Sequence, residues 1–359
     1  MTDRPIIAVT MGDPAGIGPE VVLGALRSQE VYRRSIPIVI GSMDILRRLG
    51  AKPISLEGPE DATGEPGKVE VIDVQVPGIQ SIEPGKVQAV GGLAADAFIR
   101  KACELALEKR TCPPKPLGDE AWAKSPRRRR IDAISTAPIS KESLRAAGIQ
   151  GIGHTELLAE YLNRDRLQTT DNRHQTAPEP LTLFVTENMR IFFLSRHLSL
   201  RQAIDYITQE RLLDFILAVD RAMRKLGFPK PRIAVAALNP HASDGGQFGS
   251  QEAEIIMPAI LQAQAKGIDV TGPIGADSVF HQALERRFDC VISLYHDQGH
   301  IAAKTRDFFR TVTATLNLPV LRTSVDHGTG FDIAWQGKAN SISMESAILA
   351  ACDLLPCPP

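Results

Sequence analysis

The chain lacks the features that would tie it to a membrane, a nucleic acid or an oxidising compartment. Its apolar runs are only strand-length, far short of the roughly 20 residues that span a bilayer. The N-terminus passes from MTDRP straight into the strand-like IIAVT with no secretory signal, so the cytoplasm is the expected compartment. With 41 basic and 42 acidic side chains the net charge is -1, which removes bulk electrostatic attraction to nucleic acid or anionic lipid. Five cysteines (Cys103, Cys112, Cys290, Cys352 and Cys357) show no CxxC spacing and read as free thiols in a reducing compartment. The common nucleotide signatures are missing too. MGDPAGIGPE at 11–20 follows a strand and opens a helix, as a phosphate cradle would. It has neither the third glycine of GxGxxG nor the GK[ST] of a P-loop, which excludes a standard Rossmann fingerprint.

What is present is an α/β alternation. IIAVT, IPIVIG, IDAIS, RIAVAA and CVISLY are separated by helix-length amphipathic stretches such as GGLAADAFIRKACELALEK. LTLFVT and RIFFLS flank Glu187, Asn188 and Met189, which predicts a hairpin and therefore a mixed sheet. At 359 residues the chain is long enough for two lobes. Residues 113–130 are aperiodic and end in Arg127 to Arg130. One basic loop on a neutral chain reads as solvated surface, not a nucleic-acid site. The stretch at 168–180 reads as a second loop, and its His174 is not assigned as a ligand.

Three histidines far apart in sequence stand out: His197 in SRHLSL, His241 in NPHASDGG and His296 in YHDQGH. Taken singly, each is an ordinary loop residue. Together they are the ligand set of a catalytic metal site with one position left open. His241 and His296 follow the buried-strand patterns RIAVAA and CVISLY, at strand exits where open α/β sheets place their ligands.

MGDPAGIGPE, GHTE, NPHASDGG, GPIGAD, YHDQG and LPVLRTSVDHGT occur in this order, and with them the chain resembles the 4-hydroxythreonine-4-phosphate dehydrogenase family from end to end. The resemblance implies the two-lobed isocitrate/isopropylmalate dehydrogenase-like fold, with mixed sheets flanked by helices. It implies a cofactor-side lobe of 1–138 plus 305–359 and a metal- and substrate-binding, dimerising lobe of 139–304. His197, His241 and His296 would hold a divalent metal (zinc, or cobalt, manganese, nickel or magnesium), the set being completed across the interface of a homodimer. His154, Thr155, Lys304 and Arg322 would contact a small phosphorylated hydroxy acid. Asp326, His327, Gly328 and Thr329 would lie beside the adenosine half of NAD or NADP. Asp297, Asp277 and Lys304 are the candidates for proton removal, and each aspartate reads equally well as a turn or cap residue.

The implied reaction is metal-assisted oxidation of a secondary hydroxyl followed by decarboxylation, placing the chain in pyridoxal phosphate biosynthesis with 4-phosphohydroxy-L-threonine as substrate. Two departures keep the substrate open. Thr313 stands where the family has a substrate-contacting Asn, and Ser140, in TAPISKESLRAAG, stands where the biosynthetic members have His. Relatives acting on D-threonate or D-erythronate 4-phosphate share TAP.SKE-like segments, which makes a catabolic sugar-acid dehydrogenase the alternative. Retained Lys304 and Arg322 argue against a phosphate-free cis-dihydrodiol substrate. With the histidines they also argue against a catalytically silent metal- or phosphate-binding protein.

Overall fold

A computed structural model describes residues 4–108, 130–150, 153–168 and 179–355, the side chains of residues 164–168 excepted. Arg127 to Arg129, His174, Cys112 and Cys357 lie outside the described residues. Twelve strands run along the described residues: β1 (Ile6–Thr10), β2 (Ile36–Gly41), β3 (Pro53–Ser55), β4 (Val69–Asp73), β5 (Ala133–Thr136), β6 (Leu181–Thr186), β7 (Met189–Phe193), β8 (Ile233–Ala236), β9 (Val270–Ile274), β10 (Cys290–Ser293), β11 (Val312–Leu316) and β12 (Leu321–Ser324). The architecture is mixed α/β, with sheet flanked by helices. No helix among the described residues is long and apolar enough to cross a membrane.

The chain forms two units. The first comprises Met1–Pro180 with Leu318–Leu355, and the second Leu181–Asn317. In the first, the strands run in the order β3-β4-β2-β1-β5-β12, every neighbouring pair parallel. β1 and β2 are buried along their whole length. This is why IIAVT and IPIVIG read as continuous apolar runs without alternation. In the second unit the order is β11-β6-β7-β10-β8-β9. The β6–β7 hairpin is antiparallel, turning at Glu187 and Asn188 with Glu187 at φ 53°, and β11 runs antiparallel to β6. β7, β10, β8 and β9 are mutually parallel. The expected hairpin and mixed sheet are therefore both present.

The unit boundaries fall elsewhere than the sequence suggested. Residues 139–180 go with the first unit because helices Lys141–Ala146 and His154–Gln168 pack on helix Ala89–Leu107. Residues 305–317 stay with the second because β11 completes the β6–β7 sheet. These long-range packings leave no mark in local composition.

Gly92 sets the closest helix approach in the first unit. A Cβ there would lie 2.1 Å from the Ser143 carbonyl oxygen and 2.8 Å from the Leu144 nitrogen, both backbone atoms that move only with helix Lys141–Ala146. Gly92→Ala is expected to cost about 1–3 kcal/mol as overpacking does, read as a lowered urea midpoint. An unchanged midpoint would contradict this packing.

Candidate active site

In the second unit, the three histidines leave the same edge of three neighbouring strands. His197 lies past the end of β7, His296 past β10 and His241 past β8, and these strands are adjacent and parallel in the order β7-β10-β8. The carboxyl edge of parallel strands is where α/β sheets gather ligand-binding groups. The sequence revealed this for His241 and His296. For His197 it did not, because nothing local tells that a hairpin strand pairs in parallel with β10.

The strand exits are stitched to one another. Leu194 N–H donates to the Ser293 carbonyl at 2.9 Å, and Ser195 Oγ donates to the Leu294 carbonyl at 2.9 Å, joining the approach to His197 to the approach to His296. After His197, Ser199 and Gln202 form a capping box that starts helix Leu200–Tyr206. Buried Gln298 accepts from Leu294 N–H at 2.8 Å and donates from Nε2 to the Ala237 carbonyl at 2.7 Å, joining β10 to β8. Glu252 accepts from the backbone N–H groups of Leu238 and Asn239 at 2.9 and 2.7 Å.

His296 is the first residue of helix His296–Arg306. Its Nδ1 is 2.7 Å from Asp297 Oδ1. A carboxylate accepts, so this bond puts the proton on Nδ1 and leaves the Nε2 lone pair available to a ligand. The ring stacks on His300, with centroids 3.6 Å apart, and lies 6.4 Å from the His197 ring. His300 in turn packs between Phe184 and Phe193. His241 stands on a left-handed turn: His241, Ala242, Ser243, Asp244 and Gly245 all have φ between 44° and 74°. Four non-glycine residues in that region cost on the order of 4–8 kcal/mol, and such strain concentrates at functional sites. Among the described residues, no three His, Cys, Asp or Glu side chains of one chain are grouped closely enough to hold a metal ion.

The remaining candidates of this unit fall as follows. Asp297 has 72% of its side chain exposed and is engaged by His296. Asp277 is exposed in the first turn of helix Ala276–Leu284, a favourable place for a carboxylate beside the helix dipole. Lys304 is half-buried, its Nζ 5.1 Å from the centre of the Phe308 ring. On helix His296–Arg306 it follows His296 and His300 at intervals of four residues, along one face. Thr313, on β11, has a buried Oγ1 with no hydrogen-bond partner, an orphaned hydroxyl that a polar ligand would satisfy.

In the first unit, Arg322 on β12 is 5% exposed and donates from Nε and Nη2 to Thr136 Oγ1 at 3.2 and 3.0 Å. Burial pulls its pKa down to about 10, against the pull of the Glu156 and Asp326 carboxylates. His154 begins helix His154–Gln168, followed by Thr155. Its Nε2 is buried without a partner. Burial first, and the Arg322 charge second, hold its pKa well below the usual 6.5, while a bond to the Ala137 carbonyl opposes them. The histidine is therefore neutral.

The glycine segment 11–20 is no phosphate cradle. Met11, Asp13, Ala15, Gly16 and Ile17 spend their N–H groups within the fold, Ile17 on the Thr329 carbonyl. Gly16 is required by that approach, since a Cβ there would lie 2.6 Å from the Thr329 oxygen. Glu20 accepts from Trp335 N–H at 2.6 Å and Gly337 N–H at 2.7 Å. The segment thus fastens the loop that carries Asp326, His327, Gly328 and Thr329. Within that loop His327 Nδ1 lies 3.0 Å from the Gly328 carbonyl oxygen, and its Nε2 is buried without a partner.

Comparison with known proteins identifies the family. The profile described as "Pyridoxal phosphate biosynthetic protein PdxA" matches residues 120–351. A protein of Halalkalibacterium halodurans, provisionally named D-threonate 4-phosphate dehydrogenase, is 45% identical, covering 99% of this chain and 98% of its own. The crystal structure of 4-hydroxythreonine-4-phosphate dehydrogenase from Klebsiella pneumoniae is 39% identical with a TM-score of 0.81, covering 97% of this chain and 98% of its own. A terephthalate 1,2-cis-dihydrodiol dehydrogenase structure from Burkholderia xenovorans LB400 is 25% identical with a TM-score of 0.61, covering 98% of each chain. The class is that of the dehydrogenases, oxidoreductases that work with a nicotinamide cofactor. Within it, this chain belongs to the PdxA family.

Ser195, Gln298, Glu252, His300 and Thr136 escaped the sequence reading. Gln298 and His300 lie inside the YHDQGH motif, Ser195 inside SRHLSL and Thr136 at the start of TAPISKESLRAAG, which were the available signals.

A neutral buried histidine makes stability depend on pH. His154 has its folded-state pKa below its unfolded value, so its contribution is present above the unfolded value of about 6.5 and is lost as the pH falls below it. Between pH 7.5 and 5.5 the protein should lose more stability, by urea unfolding, than His154→Gln. Equal losses would show that His154 protonates freely in the folded state.

Proposed function

We propose that the protein is a divalent-metal-dependent, NAD- or NADP-linked dehydrogenase of a four-carbon hydroxy acid phosphorylated at C4, with D-threonate 4-phosphate preferred over 4-phosphohydroxy-L-threonine. The observation that carries the chemistry is the departure of His197, His296 and His241 from one edge of β7, β10 and β8. Three imidazoles with an open position suit zinc, and also cobalt, nickel or manganese. Bound there, the metal supplies the Lewis acidity that favours the substrate alkoxide.

The chain's own groups do the rest. Asp297 orients the His296 ring through Nδ1. The planar, desolvated guanidinium of Arg322 suits a bidentate grip on phosphate, and His154 Nε2 and Thr313 Oγ1 are buried atoms still in need of a polar partner. Of the candidates for proton removal, Asp297 is occupied with His296 and Asp277 is exposed, so the substrate hydroxyl proton is assigned to Lys304 Nζ, which would take it as the neutral amine. The loop from Asp326 to Thr329, whose Thr329 carbonyl accepts from Ile17 N–H, is assigned to the adenosine half of the cofactor. Oxidation β to the carboxylate leaves a keto acid that loses carbon dioxide.

A homodimer completes this reading. Leu198, Leu200, Ile204, Ile301, Phe308 and Phe309 are 41–64% exposed around the His197 and His296 segments, an apolar surface of the kind a partner covers. The substrate preference rests on the relatives provisionally named D-threonate 4-phosphate dehydrogenase, at 43–45% identity over nearly the whole chain, and on Ser140. That residue, where the biosynthetic members carry His, is 7% exposed and caps helix Lys141–Ala146 by accepting from Ser143 N–H.

The test is nicotinamide reduction by zinc-loaded protein offered D-threonate 4-phosphate, D-erythronate 4-phosphate and 4-phosphohydroxy-L-threonine. A sugar acid should lead in kcat/KM by about tenfold or more, ~1.4 kcal/mol of discrimination. Preference for the amino acid would instead assign the chain to pyridoxal phosphate biosynthesis.

A further inference from the structure

Two buried polar side chains of the second unit are spent largely on backbone at the strand exits that lead to His241 and His296. Glu252 is 4% exposed and opens a single π-helical turn, Glu252–Ile256, a geometry frequent at functional sites. Its Oε1 accepts from Leu238 N–H and Asn239 N–H, and its Oε2 accepts from Asn239 Nδ2 at 2.8 Å. The same Asn239 amide donates to Gln251 Oε1 at 2.8 Å. Together these bonds fix the two residues from which Pro240 and the left-handed His241 turn spring. That turn needs a fixed root, because an unanchored chain would relax out of six successive positive φ angles, His241 to Gly246.

Gln298 is 8% exposed in the first turn of the His296 helix. Its Oε1 accepts from Leu294 N–H at 2.8 Å and from Ser293 Oγ at 3.3 Å, and its Nε2 donates to the Ala237 carbonyl at 2.7 Å. One amide thus spans from the end of β10 to the residue just before the pair that Glu252 grips. Burying such groups is costly unless every bond is made, so the arrangement is rigid or it is not present at all.

We propose that Glu252 and Gln298 are positioning residues that set the spacing of the His241 and His296 imidazoles. Glu252 clamps the root of the His241 turn, and Gln298 bolts that root to the start of the His296 helix. The inference rests on the metal-site reading above and adds the groups that preorganise it.

The test measures Zn2+ affinity of the full-length protein by competition with a chromophoric chelator, alongside the urea midpoint of the metal-free form. Glu252→Gln keeps the shape and removes one acceptor. Gln298→Met keeps the length and removes all three bonds. Variants that remain folded without metal should bind Zn2+ about 10–100-fold more weakly, the usual cost of disturbing the groups that orient metal ligands, whereas a merely structural role would lower the midpoint and leave the affinity of the folded form unchanged. His241→Ala separates the two levels of the argument. If it binds Zn2+ as tightly as the parent, the metal-site reading fails and this proposal with it. If it binds weakly while both folded variants stay within about twofold of the parent, only the positioning role is overturned.

Discussion

The second unit depends on one constraint: the ends of β7, β10 and β8 must stay in register. Neighbouring strands are separated by only about 4.8 Å, so side chains a few residues beyond their ends can converge without long loops. Convergence requires that those few residues be held where the sheet ladder gives out. Ser195, Gln298 and Glu252 take over, pairing exit backbone with buried side-chain atoms. The strained His241 turn is tolerable because its root is anchored on both sides.

The first unit meets a different constraint. Arg322 and His154 are buried close together, one cationic and one kept neutral by burial and by the other's charge. Arg322 donates to a threonine hydroxyl and is held by the charge of the Glu156 and Asp326 carboxylates. The glycine segment 11–20, which from composition resembles a phosphate loop, instead works as a fastening for residues 326–337 through Ile17 and Glu20.

The sequence exposed what local patterning encodes. Fully apolar β1 and β2, the hairpin at Glu187 and Asn188, and the polar exits carrying His241 and His296 all follow from periodicity and turn chemistry. His197 stood out beside the other two, but not its place at a parallel strand exit, because the pairing of β7 with β10 is a property of the assembled sheet. Glu252 and Gln298 were invisible for a related reason. A glutamate or glutamine in a helical stretch looks solvated until the strand end it grips is in place. The unit boundaries shifted because the packing of helices 141–146 and 154–168 on helix 89–107 is non-local.

The central claim, that His197, His241 and His296 form one ligand set, is tested most directly by X-ray absorption at the zinc edge of the loaded protein. The account predicts three imidazole nitrogens at about 2.0–2.1 Å and an oxygen ligand at the fourth, exchangeable position. A shell containing sulfur, or only a single imidazole, would contradict it.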